Sequence, residues 1–352
     1  MKINDRVDLL EVFGDREKEL ITKVLGKYRI NKIVDIKKIR GSYKVETDMG
    51  ILCLKKTIHG IKRAENISDF VAELSKIGFN NTLHYLKTID DNVFVKYKNM
   101  VFYALEWVDG NECHLDDINE AQKCIQLMSR FHMASGKVDN KKLKIKNNLR
   151  NWPQIYKNNI FELEKFKKII KNKRLKNEFD LAYYKFLDNY ILRGTLALKI
   201  LTNSNYNLLV NAALDKKTIC QDIFYYENTI KKDEETYIVD LNNIVIDLHV
   251  NDLGKLIGKL MYKNDYQWDF SKAELLIEAY NSENKLSKEE LEIMLALIIF
   301  PHKFWKLGKK RYVKYKNWNE LKYMHKLNRL LKYNELQQQF IEDYLNYVSN
   351  YV

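Results

Sequence analysis

Breakers are scarce in this chain. Two prolines and twelve glycines in 352 residues leave little to interrupt regular elements. Cysteine is nearly as sparse: Cys53, Cys113, Cys124 and Cys220 lie far apart, with no CxxC pair and no histidine at ligand spacing. That pattern indicates neither a disulfide framework nor a zinc site and leaves buried free thiols as the expectation. The opening MKINDRVDLLEVFGDREKEL carries charge throughout and has no apolar run of the length a signal sequence or a membrane span needs, so synthesis in the cytoplasm and no membrane partner are expected. No internal repeat or low-complexity segment is present. What remains is globular: 46% apolar and 12% aromatic residues suffice to bury a core and to divide into two lobes. Sixty Lys and Arg against 47 Asp and Glu give a formal charge of +13, which attracts anions without selecting among nucleotides, phosphorylated small molecules, nucleic acid and acidic protein surfaces.

The chain is strand-rich first and helical afterwards. SYKVETDMGILCLKKT (42–57) is two alternating runs about Asp48-Met49-Gly50, a hairpin. In RAENISDFVAELSKIGF (63–79), Ile67, Phe70, Val71 and Leu74 recur at helical spacing before a Gly78 stop. Three aromatic and β-branched runs, 83–89, 92–97 and 100–108, complete an expected antiparallel sheet of about five strands. From 117 to 136 Ile118, Ala121, Ile125, Met128 and Phe131 form one helical stripe, and a basic linker follows over 137–152. Two helical segments are expected over 154–203, the first with its lysines on a solvated face. Two β-type runs return over 216–247 about Lys232-Asp233-Glu234-Glu235, and 248–350 is helical. The fold class read from this layout is α+β: an antiparallel-sheet lobe with one helix (1–107), then a larger, mainly helical lobe (108–352) containing one hairpin.

Candidate chemistry follows the same order. Lys55 ends the second hairpin strand on the face of Cys53, while Lys56 points to the other. A strand lysine facing a cleft grips nucleotide phosphates in kinases, although exposed strand lysines are common. The following helix offers Glu65, Asp69 and Glu73 at i, i+4 and i+8, any of which could pair with Lys55. The connector VFYALEWVDG reads equally as a simple interlobe strand or, as in two-lobed kinases, as the segment whose backbone groups around Glu106 to Val108 meet an adenine ring. Asp240 closes the apolar run Tyr237-Ile238-Val239, a carboxylate at a strand mouth where a phosphotransferase holds magnesium. Asp252, at the start of a helical run, reads as an N-cap. His132 and His302 read as packed histidines and not as ligands.

Taken together, Lys55, LEWVDG, ICQDIFYYENTI, YIVDLNNIVIDLHVNDLGKLI and IIFPHKFWKLGKKRYVKYKNW resemble the CotS-type spore coat protein family over roughly residues 15–340. That resemblance implies the kinase-like fold of aminoglycoside phosphotransferases and choline kinases, with ATP or another nucleoside triphosphate and Mg²⁺ as cofactors. It implies Lys55, Glu73, Glu106 and Val108 at the nucleotide, Asn228 and Asp240 at the metal, Asp222 as the catalytic base, and Asp252 as a brace for the catalytic loop. It also implies a protein made in the mother cell, deposited in the spore coat and partnered by other coat proteins.

The catalytic loop departs from the family's pattern of His-x-Asp, four residues, then Asn. With Asp222 as the catalytic residue, Cys220 stands in the His place, Glu227 in the Asn place, and Asn228 comes one residue late. With Asn228 kept in register, Gln221 replaces the His and Ile223 the Asp, and an isoleucine accepts no proton. The first register keeps activity in altered form; the second costs on the order of 10²- to 10⁴-fold in rate. No GxGxxG follows Gly41 to cover phosphates. Two readings stand: a nucleotide-binding protein with impaired or altered phosphotransfer to a small hydroxylated or phosphorylated molecule, and a non-catalytic coat scaffold. Nucleic acid rests on charge alone and ranks last.

Overall fold

The computed structural model describes residues 14–39, 41–57, 60–140, 142–222, 224 and 228–351. In chain order the elements are α1 (Asp15–Leu25), β1 (Ile33–Ile39), β2 (Ser42–Thr47), β3 (Gly50–Thr57), α2 (Ile61–Lys76), β4 (Val95–Tyr97), β5 (Met100–Glu106) and β6 (Asn111–Glu112). Then come α3 (Ile118–Ser135), β7 (Lys146–Asn147), α4 (Trp152–Asn172), α5 (Glu178–Asn203), α6 (Tyr206–Asp215), β8 (Ile219–Cys220), β9 (Thr229–Lys232), β10 (Glu235–Ile238) and β11 (Val245–Ile246). The remainder is α7 (His249–Leu260), α8 (Phe270–Asn281), α9 (Lys288–Ile299), α10 (His302–Tyr312), α11 (Glu320–Leu331) and α12 (Asn334–Ser349). The described residues fall into two compact units, one from 1–113, 134–145 and 226–244, the other from 114–133, 146–225 and 245–352.

In the first unit an antiparallel sheet runs β1-β2-β3-β5-β4. The β2–β3 hairpin closes with Thr47 opposite Gly50, whose φ of +113° is one that residues with a Cβ rarely adopt. Period-two alternation sends Val45, Leu52 and Leu54 to one face, where they bury with Ile21, Val24 and Leu25 of α1. Cys53 goes to the other face, with Ala64 of α2, Leu83, Tyr103 and Leu105. Lys55 therefore points to the side that carries α2. A second sheet, β10-β9-β6, hangs on a two-residue turn between Lys232 and Glu235 in which Asp233 takes a φ of +53°.

The run 83–89, expected as a strand, forms only isolated bridges, Tyr85 with Leu105 and Tyr28 with Thr88. Its aromatic content serves packing instead: the Tyr85 ring stacks on Tyr103 at 5.2 Å. The fifth strand is β1, which pairs along the whole of β2 with a register shift between Ile33 and Asp35.

The second unit is built on paired helices. α4 buries Tyr156, Leu163, Phe166 and Ile170 at helical spacing and leaves Lys165, Lys168 and Lys171 exposed. It packs on the 26-residue α5, which begins with a capping box of Asn177 and Asp180. At Gly308 in α10 a Cβ would meet the Tyr183 hydroxyl and the Phe166 ring, so only glycine allows this approach. A small sheet, β7-β11-β8, with β11 parallel to β7 and antiparallel to β8, leads directly into Gln221 and Asp222 at one end and Asp247 at another. No helix among the described residues is long and apolar enough to cross a membrane.

Candidate functional site

Each unit carries one polar constellation. In the first, Lys55 Nζ lies 3.2 Å from Asp240 Oδ2, with 17% and 25% of the two side chains exposed. Burial pulls the Lys55 ammonium down, but Asp240, supported by Cys53 and Tyr103, more than offsets this and holds it above its ordinary value. Lys56 is exposed. The other oxygen of Asp240 accepts the Asn242 N–H at 2.8 Å, and Asn242 Nδ2 donates to the Tyr103 hydroxyl at 2.6 Å. Arg63, on the first turn of α2, donates from its guanidinium to the carbonyls of Asn242 (2.6 Å) and Ile244 (3.0 Å). The segment after Asp240 is thereby fixed from the helix and from the sheet.

Asn228 sits at the same open end of the β9–β10 hairpin, its carbonyl accepting the Val239 N–H at 3.0 Å, one residue from Asp240. Of the helix carboxylates, Glu65 and Asp69 are exposed, and Glu73 pairs with Lys76 at 2.6 Å. The Lys55 ammonium meets Asp240 in this arrangement. Glu106 ends β5 with its N–H donated to the His84 carbonyl at 3.1 Å, and Val108 is half-buried beside the Cys53 cluster.

In the second unit the Cys220-Gln221-Asp222 segment is pinned by a buried carboxylate. Asp252 accepts the Gln221 N–H at 2.7 Å and the Asp222 N–H at 3.0 Å. The N-cap of α7 is Leu248, so Asp252 braces the loop and does not cap the helix. Burial pushes the Asp252 carboxyl up to about 6, against the pull of Lys255 and the Gln221 N–H. Asp222 itself has a φ of +66°, a conformation costly for a residue with a side chain. Its Oδ1 is held by Lys255 Nζ at 2.5 Å. Ile223 and Glu227, on which the two registers of the loop turn, lie outside the described residues.

Beneath the loop, His132 contacts Tyr280 (2.9 Å) and Asp252 (3.3 Å) through its two nitrogens, and burial pushes it down to about 3. Its ring stacks on His249 at 4.0 Å and 3°. Stacked rings aim their nitrogen lone pairs along parallel planes, so the grouping of His132, Cys220 and His249 is a packed support for the loop and not a ligand set converging on one ion. His302 is boxed by Trp152, Tyr156 and Phe300.

Sequence reasoning passed over Arg63, Tyr103, Asn242, Asp247 and Lys255. Asp247 carries the signal that singled out Asp240, an acid closing an apolar run, here Ile244-Val245-Ile246. It is buried and accepts from Asn148 (2.8 Å), Asn251 (2.5 Å) and the Leu248 N–H (2.9 Å), tying β11 to α7 and to the strand β7. Lys255 follows Asp252 at i+3, a spacing that puts both on one face of α7.

This architecture is the kinase-like fold of the aminoglycoside phosphotransferase and choline kinase class. The crystal structure of an aminoglycoside phosphotransferase from Alicyclobacillus acidocaldarius superposes with a TM-score of 0.81 at 14% identity, covering 93% of this chain and 96% of that one. Amicoumacin kinase hAmiN, in complex with AMP-PNP, Ca²⁺ and Ami, superposes at 0.55 with 11% identity, covering 93% of each chain. Within that class the chain belongs to the family described as "Spore coat putative kinase YutH", whose model matches residues 24–344. It is 26% identical over 336 residues to "Spore coat protein S" of Bacillus subtilis (strain 168), covering 93% of this chain and 94% of that protein. The family and the fold read from the sequence are both borne out.

Proposed function

We propose that the chain is a nucleotide-binding, kinase-like spore coat protein in which phosphotransfer to a small hydroxylated or phosphorylated molecule is impaired or altered. The observation that carries this reading is the Lys55–Asp240 pair, 3.2 Å apart and braced by Asn242, Tyr103 and Arg63. A raised, half-buried ammonium suits a phosphate, and Asp240 with the Asn228 amide offers the hard oxygens that magnesium takes. Bound there, Mg·ATP would supply the transferable phosphoryl group and the cation that neutralises its charge. The amicoumacin kinase structure holds a nucleotide analogue and a divalent cation, which supports the same pair of ligands for this chain.

Impairment rests on Asp222. Its carboxylate is engaged by Lys255, so an acceptor hydroxyl would have to compete with an ammonium for the same oxygen. The engagement of Asp222 also favours a second reading, a coat scaffold in which the fold is retained without turnover. The similarity to Spore coat protein S supports deposition in the coat with other coat proteins as partners, and synthesis in the mother cell belongs to the same proposal.

A thermal-shift titration separates these readings. Mg·ATP raises the melting midpoint of the wild type, ATP with chelator does not, and Lys55→Ala abolishes the rise. No rise with Mg·ATP in the wild type removes the nucleotide reading and leaves the scaffold.

A further inference from the structure

The second unit contains a cavity of about 810 Å³, in the range that holds a small molecule. It is walled by α10, α11 and the segment after α7, and shares no residue with the Lys55 and Asp222 constellations. Seven lysines and arginines line it against two aspartates. They come from separate stretches of chain: Lys303, Lys306 and Lys310 recur on one face of α10, and Lys326 and Arg329 on one face of α11. One of the two aspartates, Asp116, is taken by Lys263.

Solvated charge runs spread their charges into water. Here two helices turn basic faces, with Lys303, Lys306 and Arg329 partly open to solvent, toward one hollow. Burial, then Arg329 and Lys259, pull the Lys303 ammonium down to about 8. Burial and then Lys316, Lys326 and Lys306 pull Lys310 down in the same way. Aromatic faces hold the cations in place: Lys303 Nζ stands 3.4 Å from the centre of the Tyr262 ring, and Lys310 and Lys326 lie 4.9 Å and 5.3 Å from that of Trp318. The lining aromatic residues Tyr262, Trp318 and Tyr333 complete a preformed hollow with mutually repelling ammonium groups in it. An anion relieves that repulsion.

We propose that this cavity binds a small polyanion carrying two or more phosphate or carboxylate groups. A compact ligand fits better than nucleic acid, because the cations gather in one hollow and are not strung out along a track. The proposal stands whether or not the chain transfers phosphate.

The test is calorimetric titration of the full chain, in chelator so that the magnesium-dependent Lys55 site stays silent, with inorganic tripolyphosphate, with citrate and with poly-glutamate. Tripolyphosphate or citrate is expected to bind with one-to-one stoichiometry, and the preferred of the two reports which anionic group the cavity takes. Lys303→Gln/Lys310→Gln weakens that binding by about 100-fold, since two charge-assisted contacts, each worth about a factor of ten, are removed. Lys55→Ala leaves it unchanged. Without ligand and at low salt, Lys303→Gln/Lys310→Gln melts at or above the wild-type midpoint, because like charges have been removed. Should that variant be poorly folded, Lys326→Gln/Arg329→Gln carries the same expectation. Equal affinity in a folded cavity variant, or loss of binding in Lys55→Ala, overturns the proposal. So does binding of poly-glutamate with no binding of either small anion, which would make the occupant an acidic protein.

Discussion

The Lys55–Asp240 pair can be tested without any ligand. At 3.2 Å the gross attraction is about 5 kcal/mol for an effective dielectric near 20. Most of this is offset by desolvation of the two charges. Both ends keep some water, so the cost of removing one partner falls between that of a surface pair, about 0–1 kcal/mol, and that of a buried one, about 3–5 kcal/mol. Lys55→Met strands a half-buried carboxylate. Asp240→Asn strands the ammonium but can still accept the Asn242 N–H. Each is expected to cost about 2 kcal/mol, while the double variant, which strands nothing, costs less than their sum by about 1–2 kcal/mol. Chemical denaturation of the four proteins at neutral pH measures that coupling, and high salt should diminish it only in part because the pair is mostly shielded. Strict additivity would mean that the two groups do not sense each other and would refute the reasoning.

Other outcomes follow from the second unit. Gly308→Ala drives a methyl into Tyr183 and Phe166 and should cost about 1–3 kcal/mol, read as a lowered melting midpoint; an unchanged midpoint contradicts the packing. His302 is pushed down to about 4 by burial, so its folded value lies below its unfolded one. Its contribution is complete above about pH 6.5 and lost as pH falls through about 4, on the order of 3 kcal/mol. A His302→Gln variant should therefore lose less stability between neutral pH and about pH 4 than the wild type, and an equal acid slope would reject the assignment. Asp252→Ala removes the acceptor of two loop amides, and hydrogen exchange at Gln221 and Asp222 should quicken by about 10-fold or more. Unaltered protection there would mean that something else holds the loop.

Local patterns were legible in the sequence where a short-range rule decided them. Alternation around Asp48-Met49-Gly50 gave the β2–β3 hairpin, and the stripe from Ile67 to Leu74 gave α2. The aromatic run 83–89 misled, because Tyr85 and its neighbours meet the sheet through ring packing and isolated bridges without forming a ladder. β1 escaped notice because Ile33, Ile36 and Ile39 recur at every third residue and so show no period-two alternation. Lys55 and Asp240 were visible as charges ending apolar runs. Their supports were not: Arg63 reaches a carbonyl 179 residues away, and the Asn242–Tyr103 bond spans 139. Such contacts are fixed by tertiary packing and leave no local periodicity. The lysine cavity was invisible for the same reason, since its walls come from helices whose facing sides only the fold brings together.

The central claim is that Lys55 and Asp240 form a grip for magnesium and a nucleotide. Direct calorimetric titration with ATP, with and without Mg²⁺, measures it. Saturable, magnesium-dependent heat in the wild type, absent in Lys55→Met and Asp240→Asn, is the predicted result. Equal binding by all three proteins, or no binding by the wild type, would contradict it.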